Sequence, residues 1–274
     1  MEELAWGYGL VEAPRVDAED NLYFSDVIGG GVFRRSPGGA IETVVPKRRG
    51  VGGLLLHADG GVVVSGRNVA HVRNGETRLL LEVAGVVGFN DMTSDAAGRV
   101  YAGSLRSSAF EEGPRVPGEL WRIDAAGRGT AVYDGVEFVN GVGFSPDART
   151  IYHSNYSEGV VLAHEVDAEG RGTGRRAFVR LPKGKPDGLA VDENGAVWVA
   201  GGEAGVVFRF TPKGDLDGVV EVPAPFVTSL CFGGADRRDL YVVTAANRDR
   251  PERRGTIFRT RSAVAGLVAP LARV

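Results

Sequence analysis

A single cysteine, Cys231, excludes an intrachain disulfide. It lies in the apolar run SLCFGG, where a small buried side chain is expected in place of a reactive thiol. No stretch approaches the roughly 20 apolar residues of a membrane-spanning helix. The N-terminal MEELAWGYGL has neither the basic start nor the apolar core of a secretory signal. Charge of one sign is not in excess: 32 basic residues face 35 acidic ones, for a net of −3. That balance argues against nucleic-acid binding. The run Lys47-Arg48-Arg49 reads as a solvated loop, and so does the cluster from Arg248 to Arg254, broken by Asp249 and Glu252. Helical periodicity is nearly missing: its best stretch, Ser262 to Leu271, is short, contains Pro270 and reads as a closing strand and tail. No GxSxG elbow occurs, so a Ser-His-Asp hydrolase has no support. The expectation is a soluble cytoplasmic protein with a small-molecule substrate and no nucleic-acid or membrane partner. The oligomeric state is left open.

What the chain does hold is glycine, 41 residues spread throughout, between short β-branched runs. That combination points to many strands joined by tight turns. An Asp-, Gly- or Asn-bearing turn followed by an alternating apolar run recurs. It reads DAEDNLYFSD, HADGGVVVSG, SDAAGRVYAGS, FSPDARTIYHSN, VDENGAVWVAG and FGGADRRDLYVVTA. Anchors at Leu22, Val62, Val100, Ile151, Val197 and Leu240 recur every roughly 40 to 50 residues, the period of a four-stranded propeller blade. Six anchors predict an all-β, six-bladed β-propeller with four-stranded blades, as one domain over residues 1–274. The segment Ala5 to Leu10 is expected to fasten the ring as an outer strand of the last blade. GTIFRTR (Gly255 to Arg261) is read as the inner part of that blade.

Inner strands of a propeller converge on the central channel, so polar residues at their entrances become neighbours. Four stand out: Glu12 in LVEAPRVD, Asn90 in GFNDMTSD, Asn140 in FVNGVGFS and Asp187 in KPDGLAVD. Two carboxylates and two carboxamides make an all-oxygen set, which suits a hard divalent cation such as Ca²⁺. The absence of His and Cys there disfavours zinc. Asn-Gly and Asp-Gly are also ordinary turn formers, and that reading stays open residue by residue.

GFNDMTSDAAGRVYAGSL, FVNGVGFSPDARTIYHSN and KPDGLAVDENGAVWVAGG resemble the SMP-30/gluconolactonase/luciferin-regenerating-enzyme family, and TSLCFGGADRRDLYVVTA resembles its last-blade motif. The resemblance runs along essentially the whole chain. It implies a six-bladed propeller with one divalent metal ion in the channel, Ca²⁺ first, with Mn²⁺ and Zn²⁺ as alternatives. On this mapping Glu12, Asn140 and Asp187 are the metal ligands, and Asn90 lines the substrate pocket, with Asp91 bracing its loop. Two departures bear on specificity. The arginine found two positions before that asparagine in sugar-lactone-cleaving members is Gly88 here. A substrate-contacting glutamate of some members is most nearly matched by Ser108, with Glu111 and Glu112 in the same loop. Both changes favour a less polar lactone or ester over a sugar lactone.

The leading expectation is a metal-dependent hydrolase of a lactone or related ester. In it Asp187 is the general base and Asn90 and Ser108 contact the substrate. The alternatives are phosphotriester hydrolysis, a strictosidine-synthase-like enzyme, and a non-catalytic metabolite-binding propeller with a structural metal. His153, in YHSNYS, is read as a packed strand histidine with acid–base work as the alternative. The loop from Arg106 to Pro117 is read as a lid or a solvated loop.

Overall fold

The recurring turn has a local cause. In three repeats the turn aspartate accepts backbone N–H groups two and four residues on. Asp17 takes them from Glu19 at 3.0 Å and Asn21 at 2.8 Å, and Asp95 from Ala97 at 3.0 Å and Arg99 at 3.1 Å. Asp192 takes them from Asn194 at 3.0 Å and Ala196 at 2.9 Å. These Asx turns reverse the chain between the first and second strands of a blade. His57 Nδ1 performs the same task in the second repeat, accepting from the Asp59 N–H at 3.1 Å.

The structure is a computed structural model, and it describes residues 1–108, 115–245 and 251–274. Six four-stranded antiparallel sheets form the blades of a β-propeller. Each of the six anchor residues lies in the second strand of its blade. The innermost strands are Val11–Val16, Leu54–Leu56, Gly88–Ser94, Val139–Phe144, Leu189–Val191 and Val227–Gly233 in blades one to six. The strand Glu2–Tyr8 closes the ring as the outermost strand of blade six, paired with Gly255–Arg261. Gly255–Arg261 is therefore the third strand of that blade and not its inner part. An N-terminal strand can complete the sheet only at its outer edge, beside the last strand of the chain.

Apolar residues on both faces of each blade pack against the neighbouring blades. In the strand Val206–Phe210, the side chains of Val206, Phe208 and Phe210 join a cluster with blade four, containing Tyr152 and Val179. Val207, on the opposite face, joins Leu230, Phe232 and Phe258 of blade six. That is the period-two alternation of a strand buried on both sides.

Residues after Arg261 form no named strand. They cross the end of the propeller opposite the inner-strand entrances, bridging Gly266 to Asp192 and Ala272 to His57. Ser94 Oγ is bonded to the Pro270 carbonyl on the way.

Beneath this tail Asp192, fully buried, also accepts from Trp198 Nε1 at 3.0 Å and from Arg209 Nη2 at 2.7 Å. Asp192→Ala strands several buried donors together. It is expected to lower unfolding free energy by about 3–5 kcal/mol, read from the denaturation midpoint in urea.

Candidate active site

The polar residues singled out in the sequence meet at one end of the channel. A cavity of about 620 Å³ is lined by Glu12, Asn90, Ser108, Asn140 and Asp187 together. The six equivalent positions around the channel are Glu12, Gly52, Asn90, Asn140, Asp187 and Thr228, one from each blade. In blade two the glycine makes room: a Cβ on Gly52 would lie 2.9 Å from Asn90 Cγ and overlap its Oδ1.

Local backbone irregularity aims these side chains. The pairing of the inner strand with its neighbour is interrupted between Glu12 and Arg15, between Phe89 and Met92, and between Val139 and Val142. Bulges of this kind turn a strand residue out of its regular direction and recur beside functional sites. Ala13, next to Glu12, is held at φ 53°, a left-handed conformation that a non-glycine residue rarely adopts. Asp187 lies just before its strand and is fixed by three blades. Its N–H donates to the Ala200 carbonyl at 2.9 Å, and its carbonyl accepts from Gly141 N–H at 3.1 Å. The adjoining Gly188 N–H donates to the Thr228 carbonyl at 2.8 Å.

Asn90 Nδ2 donates to Asn140 Oδ1 at 2.9 Å and to the Val139 carbonyl at 2.8 Å. Both amides are thereby oriented, and Asn140 Oδ1 keeps a second lone pair. Asp187 Oδ1 is buried without a hydrogen-bond partner among the described residues. Burial, then the Asp187 and Asp91 carboxylates, push the Glu12 carboxyl well above its ordinary range. Burial, then Asp91 and Glu203, push Asp187 up in the same way. Below them Arg15 reaches from blade one to blade three, donating to the Met92 carbonyl at 2.7 Å and lying 3.6 Å from Asp91 Oδ1. Burial raises Asp91 to about 6 against the opposing pull of that guanidinium.

A second cavity, about 250 Å³, is lined by Arg15, by the far ends of inner strands such as Phe144 and Phe232, and by the tail residues Leu267 to Pro270. The tail covers that end, so among the described residues the larger of these two cavities is the open approach to Glu12 and Asp187.

The floor fits a hard cation. Glu12, Asn140 and Asp187 offer oxygen as their ligating atom, two of the three are carboxylates, and Asp187 Oδ1 has no hydrogen-bond partner among the described residues. Among the described residues no three His, Cys, Asp or Glu side chains could hold a metal, so the set depends on the Asn140 amide.

Other candidates fall elsewhere. His153 is wholly buried between blades three and four, its Nδ1 3.0 Å from Tyr133 Oη, and it does not line the cavity. Burial lowers its pKa to about 3, and His164 and Arg175 add to the shift. It is a packed histidine. Glu111 and Glu112 lie outside the described residues, as does the centre of the loop from Arg106 to Pro117.

The sequence reading missed the upper wall. Leu10, Gly50, Gly88, Phe138, Lys185 and Phe226 all line the cavity, each two positions before its blade's channel residue. Strand alternation puts positions i and i−2 on one side, so this second ring was available from the sequence. Arg67 was not. Gly66 pairs with Phe89, its N–H donating to the Phe89 carbonyl at 3.1 Å, which sets Arg67 of blade two into the wall that Gly88 also lines. The cation absent at position 88 thus has a counterpart from a neighbouring blade, and the wall is not stripped of charge.

Fold and site together define a six-bladed propeller with an oxygen-rich pocket at the open end of its channel. The chain belongs to the SMP-30/gluconolactonase/LRE-like family, whose model matches residues 10–246. It is 34% identical over 271 residues to a 6-deoxy-6-sulfogluconolactonase of Pseudomonas putida, covering 92% of this chain and 91% of that one. A pentonolactonase of Haloferax volcanii is 34% identical over 237 residues, 83% of this chain and 78% of its own. The same fold appears in the calcium-binding protein regucalcin of Agrobacterium tumefaciens, with a TM-score of 0.86 at 22% identity, over 99% of this chain and 97% of that one.

Proposed function

We propose that the chain acts as one domain and hydrolyses a lactone at the floor of the open cavity with the help of one divalent cation. The observation that carries this reading is the convergence of Glu12, Asn90, Asn140 and Asp187, with Asp187 Oδ1 buried and without a hydrogen-bond partner among the described residues. The lactonase names of the two relatives at 34% identity support the reaction class. The calcium-binding name of the structural relative supports Ca²⁺ as the ion, ahead of Mn²⁺ and Zn²⁺.

Glu12, Asn140 and Asp187 would hold the cation. When bound, it supplies charge that polarises a carbonyl and acidifies water. Asn90, fixed by its bonds to blade four, orients the substrate against the floor, and Ser108 contacts it from the wall. Asp187 takes a proton from the attacking water as the water oxygen bonds to the carbonyl carbon. The ring C–O bond then breaks, and the same proton passes to the departing ring oxygen, leaving a hydroxy acid. Phe138 and Phe226, the aromatic members of the upper wall, limit competing water around the reacting bond.

The test is a lactone, ester and phosphotriester panel run with chelator-treated protein and with Ca²⁺, Mn²⁺ or Zn²⁺ restored. Lactone turnover that disappears on chelation and returns with Ca²⁺ is the expected result. Binding should also stabilise the fold, by about 2.7 kcal/mol at 100 times Kd, seen as a rise in Tm that Glu12→Gln diminishes. A Tm rise without turnover of any substrate would instead mark a binding propeller with a structural ion.

A further inference from the structure

We propose that the rim of the open cavity selects lactones that carry an anionic group at the end away from the ring carbonyl. This deepens the lactonase reading and rests on it. Among the described residues, three cations line the cavity: Arg67, Arg115 and Lys185. Two of them are held by aromatic faces. The Arg115 guanidinium sits 5.1 Å from the Phe138 ring centre, and its Nη1 donates to the Ser108 carbonyl. Phe138 meets Tyr156 edge-on at 5.5 Å, and the Lys185 ammonium lies 5.2 Å from the Tyr156 ring centre. Tyr156 Oη donates to Glu203 at 2.7 Å, which steadies the ring under the lysine.

Aromatic faces position a cation without neutralising it, so both groups keep their capacity to bind an anion. Arg67 has Glu82 at 3.9 Å, with both side chains exposed, a contact too weak to compete with a bound sulfonate or phosphate. With a divalent cation bound on the floor, Glu12 and Asp187 would be ionised and their two negative charges offset by it. Asp91 is matched by Arg15. Among the described residues that line the cavity, the positive charge not offset in this way therefore lies at its rim, with Glu203 behind Tyr156 and not in the lining. A substrate with a carbonyl at one end and an anion at the other is oriented by that gradient, carbonyl down. The cavity volume of about 620 Å³ falls within the range for enclosing small ligands.

Two measurements test this. Calorimetry compares gluconate, 6-phosphogluconate and the 6-sulfonate analogue on the cation-loaded protein, and kinetics compares the three corresponding lactones. The charged ligands are expected to bind about tenfold tighter at low salt, with the preference shrinking as salt screens the rim. In Arg67→Gln/Lys185→Gln the charged-to-neutral ratio in both Kd and kcat/KM falls towards one. Preference for only one of sulfonate and phosphate identifies which anion the rim fits. Gluconolactone turned over with no advantage to either charged lactone overturns the rim proposal and leaves the lactonase reading intact. Tighter binding of the charged acids without turnover of any lactone does the reverse. If the double variant fails to fold, Lys185→Gln alone and the salt series of the parent carry the same comparison.

Discussion

Asp187→Asn, assayed at saturating Ca²⁺, is expected to hydrolyse the best lactone about 10²–10⁴-fold more slowly than the parent. The substitution keeps the shape of the side chain and one oxygen donor while removing charge and basicity. Cation affinity falls because half of the negative charge contributed by Glu12 and Asp187 is gone, but excess Ca²⁺ restores occupancy. What it does not restore is the proton acceptor. The backbone of residue 187 is held by hydrogen bonds to Ala200 and Gly141, and Gly188 by one to Thr228. The asparagine therefore occupies the same place, and the rate loss reports chemistry and not misfolding. Titrating the variant with Ca²⁺ by calorimetry separates the two effects: weaker binding with a low rate at saturation is the expected pair. A loaded variant running at the parent rate would remove Asp187 from the proton path and leave Glu12 as the carboxylate of the floor. His153 is no substitute, because it is buried away from the cavity.

Gly141→Ala is expected to cost nearly as much without touching any functional group. A Cβ at this position would lie 2.7 Å from the Asp187 carbonyl oxygen and 2.7 Å from Gly188 C, and would also press on Leu189 N. All three are backbone atoms, so no side chain can rotate away. The inner strands of blades four and five must separate, and the hydrogen bond from Gly141 N–H to Asp187 opens with them. Overpacking of this kind costs about 1–3 kcal/mol of stability. A displacement of about 1 Å between Asn140 and Asp187 lowers turnover roughly 10²-fold. A melting curve and an activity assay on the same sample check both, with Gly218→Ala as control. There the nearest heavy atom to a new Cβ is Arg209 Cβ at 3.7 Å, an ordinary contact. Parent-like activity in Gly141→Ala would show that the approach of blades four and five does not set the site.

Asn140-Gly141 illustrates how one dipeptide carries two readings. In isolation Asn-Gly is a turn former. Here it lies within the strand Val139–Phe144, the asparagine facing the channel and the glycine admitting the next blade. The repeat register pointed to the channel reading, because Glu12, Asn90 and Asp187 stand at matching places in other blades. The same register, shifted by two residues, holds Phe138 and Lys185 of the upper wall.

By itself the sequence determined the number of blades, the strand that follows each repeat's turn, and four residues of the channel floor, Glu12, Asn90, Asn140 and Asp187, though not Gly52 or Thr228 at the same level. All three depend on short-range physics: an Asx turn closes over four residues, and strand alternation assigns faces without reference to distant chain. Only the tertiary structure decided the rest. Arg67 reaches the wall beside Gly88 through the pairing of Gly66 with Phe89, and Arg15 crosses from blade one to Met92 of blade three. The residues after Arg261 cover one end of the channel and leave the other as the approach. Each of these contacts joins segments that become neighbours only when the ring closes. No local pattern of residues encodes them, and they set which charges a substrate meets on its way in.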